Sequence, residues 1–176
     1  VRSYLELARE VAAGEASAET VVELACALAE LGWDGPAVRE AMERRTAELS
    51  AADVERLGGE LTGGYRAWLA AMEVVERDMR ATGVPGGLRL KAFEDGEPRV
   101  AYGDRTASWT LAFHGADPVT EVADAAQDMV AEELWTAWPV CPEHGLGLHA
   151  ERGSWVCRRG HAAAPIGGLP AVEGAV

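Results

Sequence analysis

Apolar residues over positions 1–82 recur at three- and four-residue spacing, which predicts helices that each turn one face to a core. Tyr4, Leu5, Ala8, Val11 and Ala12 form a first stripe. Ser17 is a plausible N-cap for a second helix carrying Val21, Val22, Ala25, Leu28 and Ala29, which Gly32 ends. Pro36 suits the first turn of a third helix, because its missing N–H would have no intrahelical partner there, and Val38, Ala41, Met42 and Leu49 line that helix. Ser50 and Asp53 read as a capping box ahead of a long run through Trp68, Leu69, Met72, Val75 and Met79, with Gly58-Gly59 and Gly63-Gly64 as points where it weakens or kinks. After Gly83-Val84-Pro85-Gly86-Gly87 the hydrophobic period shortens from about 3.6 to 2. The alternation predicts strands over Leu88–Ala92, Val100–Tyr102 and Trp109–Phe113, joined by short turns into an antiparallel meander. A meander has an apolar face to cover, and the next helix is the natural cover. Asp117 caps it, Pro118 starts it, and Val119, Val122, Ala123, Ala126, Met129, Val130 and Leu134 form its stripe.

Charge narrows the set of partners. The chain has 176 residues and a formal charge of −13, which falls unevenly: −7 over residues 1–82 (9 basic, 16 acidic), −6 over 83–140 (4 basic, 10 acidic) and 0 over 141–176 (3 of each). The first two segments repel a phosphate backbone, and only the last can approach nucleic acid without a large penalty. No apolar run reaches membrane-spanning length and no export signal precedes the first helix, so a cytoplasmic protein without a membrane partner is expected. One lysine, one isoleucine and no asparagine beside abundant Ala, Gly, Val, Glu and Arg point to a GC-rich bacterial genome. Three cysteines in a reducing compartment favour free thiols or metal ligands over a Cys141–Cys157 disulfide.

One constellation carries chemistry. After Trp135 and Trp138 come Pro139-Val140-Cys141-Pro142-Glu143-His144-Gly145, a polar stretch, and Trp155-Val156-Cys157-Arg158-Arg159-Gly160-His161, a Cys-x2-His-x12-Cys-x3-His spacing. Two tight turns, each offering a thiolate and an imidazole, can surround one ion tetrahedrally, and zinc accepts such mixed donors. Pro142, Gly145 and Gly160 favour reversals in which backbone N–H groups point at the sulfurs, and a hairpin over Leu146–Val156 turning at Arg152-Gly153 would join the two turns. Residues 139–166 resemble a zinc ribbon, a pair of Cys-x-x-Cys knuckles joined by a hairpin, with His144 in place of the second cysteine of the first knuckle. The second knuckle departs further, with Gly160 where a cysteine would stand and His161 one place later. Cys141, His144, Cys157 and His161 are therefore the candidate ligands of a structural zinc, with His149 able to replace either histidine.

Other candidates carry less. His149-Ala150-Glu151 matches the His-x-Glu part of a zinc-deaminase signature, but the Pro-Cys-x-x-Cys that should follow is missing. The sequence contains no Walker lysine, dinucleotide glycine fingerprint or Gly-x-Ser-x-Gly elbow. His114 and Asp117 could form an acid–base pair, although a hydrogen bond to the capping turn is the simpler role. Cys26 sits on an apolar stripe as a buried thiol, and Glu121, Asp124, Asp128 and Glu132 read as a solvated helix face. Trp135 and Trp138 are expected to pack helix against ribbon, or else to form an exposed recognition pair.

Together these features predict an α+β protein. Its parts are an N-terminal bundle of about four helices (1–82), a three-stranded antiparallel meander plus a helix (83–138), a zinc-ribbon-like hairpin (139–168) and a frayed tail (169–176). The expected function is that of a non-enzymatic adaptor or regulator contacting another protein. The alternatives are nucleic-acid association through Arg152, Arg158 and Arg159, or an enzyme with a site between bundle and meander.

Overall fold

The computed structural model describes residues 2–44, 46–113 and 115–172. It has an α+β architecture, with helices α1 (Tyr4–Ala12), α2 (Ala18–Glu30), α3 (Pro36–Glu43), α4 (Ala51–Leu61), α5 (Gly63–Ala81) and α6 (Pro118–Leu134). A 3-10 turn covers Thr46–Glu48. Strands β1 (Arg89–Ala92), β2 (Pro98–Tyr102) and β3 (Arg105–Thr106) make one antiparallel sheet in that order. The strands β4 (Leu148–Glu151), β5 (Ser154–Cys157) and β6 (His161–Pro165) make a second.

Local chemistry places most helix starts. Ser17 accepts from the Thr20 N–H, Ser50 and Asp53 close a reciprocal capping box, Pro36 opens α3, and Asp117 accepts from the Thr120 N–H and hydroxyl. Asp53 is held well below the usual carboxylate range, first by the Arg44 guanidinium and then by Ser50. The long periodic run after Ser50 is two helices, so the described part of residues 1–82 holds five α-helices where about four were expected. The break falls at Thr62, whose hydroxyl donates to the Gly58 carbonyl at 2.7 Å and ends α4.

By compactness the chain divides into residues 1–67 with 92–98, and residues 68–91 with 99–176. In the first unit α1 and α2 supply Leu7, Ala8, Val21, Leu24 and Leu28, all almost fully buried, while α4 supplies Leu57 and Leu61. The helices come close at Gly58, where an added Cβ would lie 2.9 Å from a Val11 methyl. Cys26 is half-buried in this unit, not enclosed as its stripe suggested. Its neighbours along a shallow cavity include Arg2 and Glu23, long polar side chains that leave the thiol partly open.

The second unit departs from expectation in three places. Its third strand is Arg105–Thr106, paired as Ala101↔Thr106 and Tyr102↔Arg105 across a turn at Gly103 (φ 55°) and Asp104, and not Trp109–Phe113. The later segment alternates but joins no ladder: the Ala112 N–H donates to Glu121 of α6, while Phe113 packs on Trp68 at 5.2 Å. The ribbon gains a third strand, β6, registered as Trp155↔Ala164 and Cys157↔His161 with a bulge between Trp155 and Val156. Finally, the first half of the segment expected to fray is anchored: Leu169 is buried and donates its N–H to Asp78, and Val172 donates to the Ala81 carbonyl, while residues 173–176 lie outside the described residues. Helix α6 is tied to both sheets, because Arg105 of β3 pairs with Glu132 at 2.7 Å and Gln127 donates to the Leu148 carbonyl of β4.

Candidate metal centre

Each half of the site is a short loop with its own hydrogen bonds. In the first, the Cys141 N–H donates to the Leu146 carbonyl (2.7 Å) and the Gly145 N–H to the Cys141 carbonyl (2.9 Å), with Gly145 at φ 65°, a value that favours glycine. A bridge between Val140 and Gly147 and a bond from the Leu148 N–H to the Pro139 carbonyl carry the chain into β4. In the second, β5 ends at Cys157 and β6 begins at His161, and the Gly160 N–H donates to the Cys157 carbonyl (2.8 Å) with Gly160 at φ 87°. Register pairs Cys157 with both Leu148 and His161, which sets the second loop beside the first.

The loops converge. The donor atoms of Cys141, His144, Cys157 and His161 all lie within 4.8 Å of one another, a group compatible with a metal ion. The Cys141 sulfur is 3.6 Å from His144 Nδ1 and 3.6 Å from His161 Nε2, and the Cys157 sulfur is 3.8 Å from His144 Nδ1. Both cysteines are buried, His161 is half-buried and His144 is exposed. Burial pushes the Cys141 thiol up. Hydrogen bonds from the His144 side chain, from the backbone of His144 and Glu143, and from Cys157 outweigh that effect and leave it below the ordinary thiol range. Of these donors, the backbone N–H groups of Glu143 and His144 are the ones that can also hold a metal-bound sulfur in place.

His149 lies outside this group. It follows Leu148 on β4, and alternation turns it to the opposite face, where its Nε2 is 3.5 Å from a Glu151 oxygen. The deaminase-like His149 and Glu151 are therefore an exposed strand-edge pair. Arg152, Arg158 and Arg159 are exposed, with Arg152 in the hairpin turn at φ 47°. His114 is outside the described residues, and Asp117 directs its carboxylate to Thr120. The acidic face of α6 is less uniform than expected: Glu121 and Glu132 have partners, and burial first, then the charge of Asp128, raises Asp124 above the usual carboxylate range.

The two tryptophans part ways. Trp138 is buried, meets Trp155 edge to face at 5.6 Å and donates its N–H to Thr82 at 2.8 Å. Trp135 caps α6 in the left-handed conformation (φ 53°, ψ 33°), which turns its ring outward to 89% exposure, so it packs nothing to the ribbon.

A residue unremarked in the sequence supports the floor of the ribbon. Asp78 of α5, fully buried, accepts from the Trp155 indole N–H (2.6 Å), the Gly167 N–H (2.5 Å) and the Leu169 N–H (2.8 Å). Its one local signal is an acid at the buried i+3 position between Val75 and Met79. Among the described residues no helix is long and apolar enough to cross a membrane. No protein-family model, curated protein or solved structure matches the chain.

Proposed function

We propose that Cys141, His144, Cys157 and His161 bind one zinc ion that holds the ribbon together, and that the protein is a non-enzymatic adaptor or regulator acting through contacts with another protein. The observation that carries the zinc reading is the spacing of the donors. A tetrahedral ion with bonds of about 2.3 Å to sulfur and about 2.0 Å to nitrogen sets sulfur and nitrogen about 3.5 Å apart. Three such separations here are 3.6, 3.6 and 3.8 Å. Hydrogen bonding alone accounts for them poorly, because His144 Nδ1 faces two sulfurs and has only one proton or one lone pair to offer. Two thiolates and two imidazoles suit zinc, whose filled d shell imposes no competing geometry. With four protein ligands no position is left for a substrate or an activated water, which supports a structural role over a catalytic one.

Metal analysis of the purified chain tests this reading. About one zinc per chain is expected, lost in both Cys141→Ser and His161→Ala and retained in His149→Ala. A chain without zinc, or one that keeps it in both ligand variants, would overturn the assignment. The charge of −13 supports a protein partner over nucleic acid. The three exposed ribbon arginines are the feature that favours the second reading, and oligonucleotide binding that weakens steeply with added salt would establish it.

A further inference from the structure

Exposed apolar side chains gather at one place in the second unit. Of the large hydrophobic residues left exposed among the described residues, Leu134, Trp135, Val140 and Leu146 all come from the end of α6 and the connection to β4. The connection folds back on itself, so these residues share a neighbourhood. Val140 bridges Gly147, the Leu146 carbonyl accepts from the Cys141 N–H, and a Cβ at Gly147 would lie 3.3 Å from that of Ala137. Trp135 is the extreme case. A bulky residue in the left-handed conformation at a helix C-terminus bears a steric cost that Gly or Asn would avoid, and its indole stands clear of the protein.

Beside the indole lies a cavity of about 760 Å³, with Ala131, Trp135, Thr136 and Ala137 along it and Asp128, Glu132 and Arg105 contributing the charge. Helix α6 carries Glu121, Asp124, Asp128, Glu132 and Glu133 and no basic residue. Arg105 is already engaged by Glu132 (2.7 Å) and Glu133 (3.3 Å), whereas Asp128 has no ion-pair partner among the described residues. A groove with an aromatic wall, small apolar residues and an unmatched carboxylate complements a cation on an apolar stem.

We infer that the groove beside Trp135 receives an arginine-bearing basic segment of a partner protein. The guanidinium stacks on the indole and pairs with Asp128, and the aliphatic stem covers Ala131 and Ala137. A second copy of this chain is a poor occupant, since two bodies of charge −13 repel, and nucleic acid is repelled by the same field. The inference rests on the reading of the protein as a protein-binding adaptor and names the surface and the chemistry of the partner.

The test is calorimetric titration of the full chain with a short synthetic peptide of arginine, leucine and alanine, and with its counterpart in which neutral citrulline replaces arginine. Saturable one-to-one binding of the arginine peptide is expected. It should weaken about tenfold or more in Trp135→Ala, in Asp128→Asn and with the citrulline peptide. No binding by the parent chain, equal affinity in Trp135→Ala, or equal affinity for the two peptides would overturn the inference, as would Trp135-dependent dimerisation in sedimentation. Zinc content measured on the same samples separates the two proposals. Zinc-loaded protein whose peptide binding ignores Trp135 refutes the groove alone, and metal-free protein whose binding depends on Trp135 refutes the zinc site alone.

Discussion

Cys157→Ser, or exhaustive chelation of the parent chain, is expected to unfold residues 139–168 while α1 to α4 stay folded. The ribbon has a thin core of its own: Pro139, Cys141, Leu148, Trp155, Cys157 and Ile166 are its buried apolar side chains. Its third strand is built largely of alanine, which packs little and has low strand propensity. A structural zinc site supplies an apparent ~10 to 16 kcal/mol in small domains, far more than these contacts can replace. Loss of one thiolate should therefore remove local order and not merely loosen it. Amide hydrogen exchange reads the outcome directly: fast exchange throughout β4, β5 and β6 with undiminished protection in α1 to α4. Retained protection in the strands would mean that packing alone holds the ribbon.

Asp78→Ala is expected to destabilise the second unit by about 3 to 5 kcal/mol, among the largest effects of any single substitution outside the four candidate ligands. Three donors converge on this carboxylate, and all three lose their acceptor inside the protein. Leaving a buried donor unsatisfied costs about 1 to 3 kcal/mol, and a vacated cavity adds to it. Trp155→Phe, which removes only one of the donors, should cost less than Asp78→Ala. Denaturant unfolding followed by tryptophan fluorescence gives the comparison, and equal stability of Asp78→Ala and the parent chain would refute the role assigned to the carboxylate.

Local features of the chain were legible in proportion to how local they are. Helix starts at Ser17, Pro36, Ser50 and Asp117 follow from capping chemistry that spans a single turn, and the structure places helices there. The candidate metal ligands come in two close pairs on short turns, so their spacing could be read before their convergence was known. Long-range choices were hidden. The Asp78 bonds span 77 to 91 residues, and no periodicity announces a partner at that distance. Strand β6 is a row of alanines recruited by the free edge of β5, where backbone pairing prevails over weak side-chain preference. The alternation at Trp109, Leu111 and Phe113 misled because Glu121 takes the Ala112 N–H that a ladder would need. Trp135 and Trp138 look alike in sequence, and only the left-handed turn at the end of α6 sends one to solvent and the other to Trp155.

X-ray absorption at the zinc edge of the purified chain bears most directly on the metal centre. Two sulfur neighbours at about 2.3 Å and two nitrogen neighbours at about 2.0 Å, with imidazole scattering beyond them, are the predicted shell. A shell of oxygen and nitrogen without sulfur, or one with four sulfurs, would contradict it.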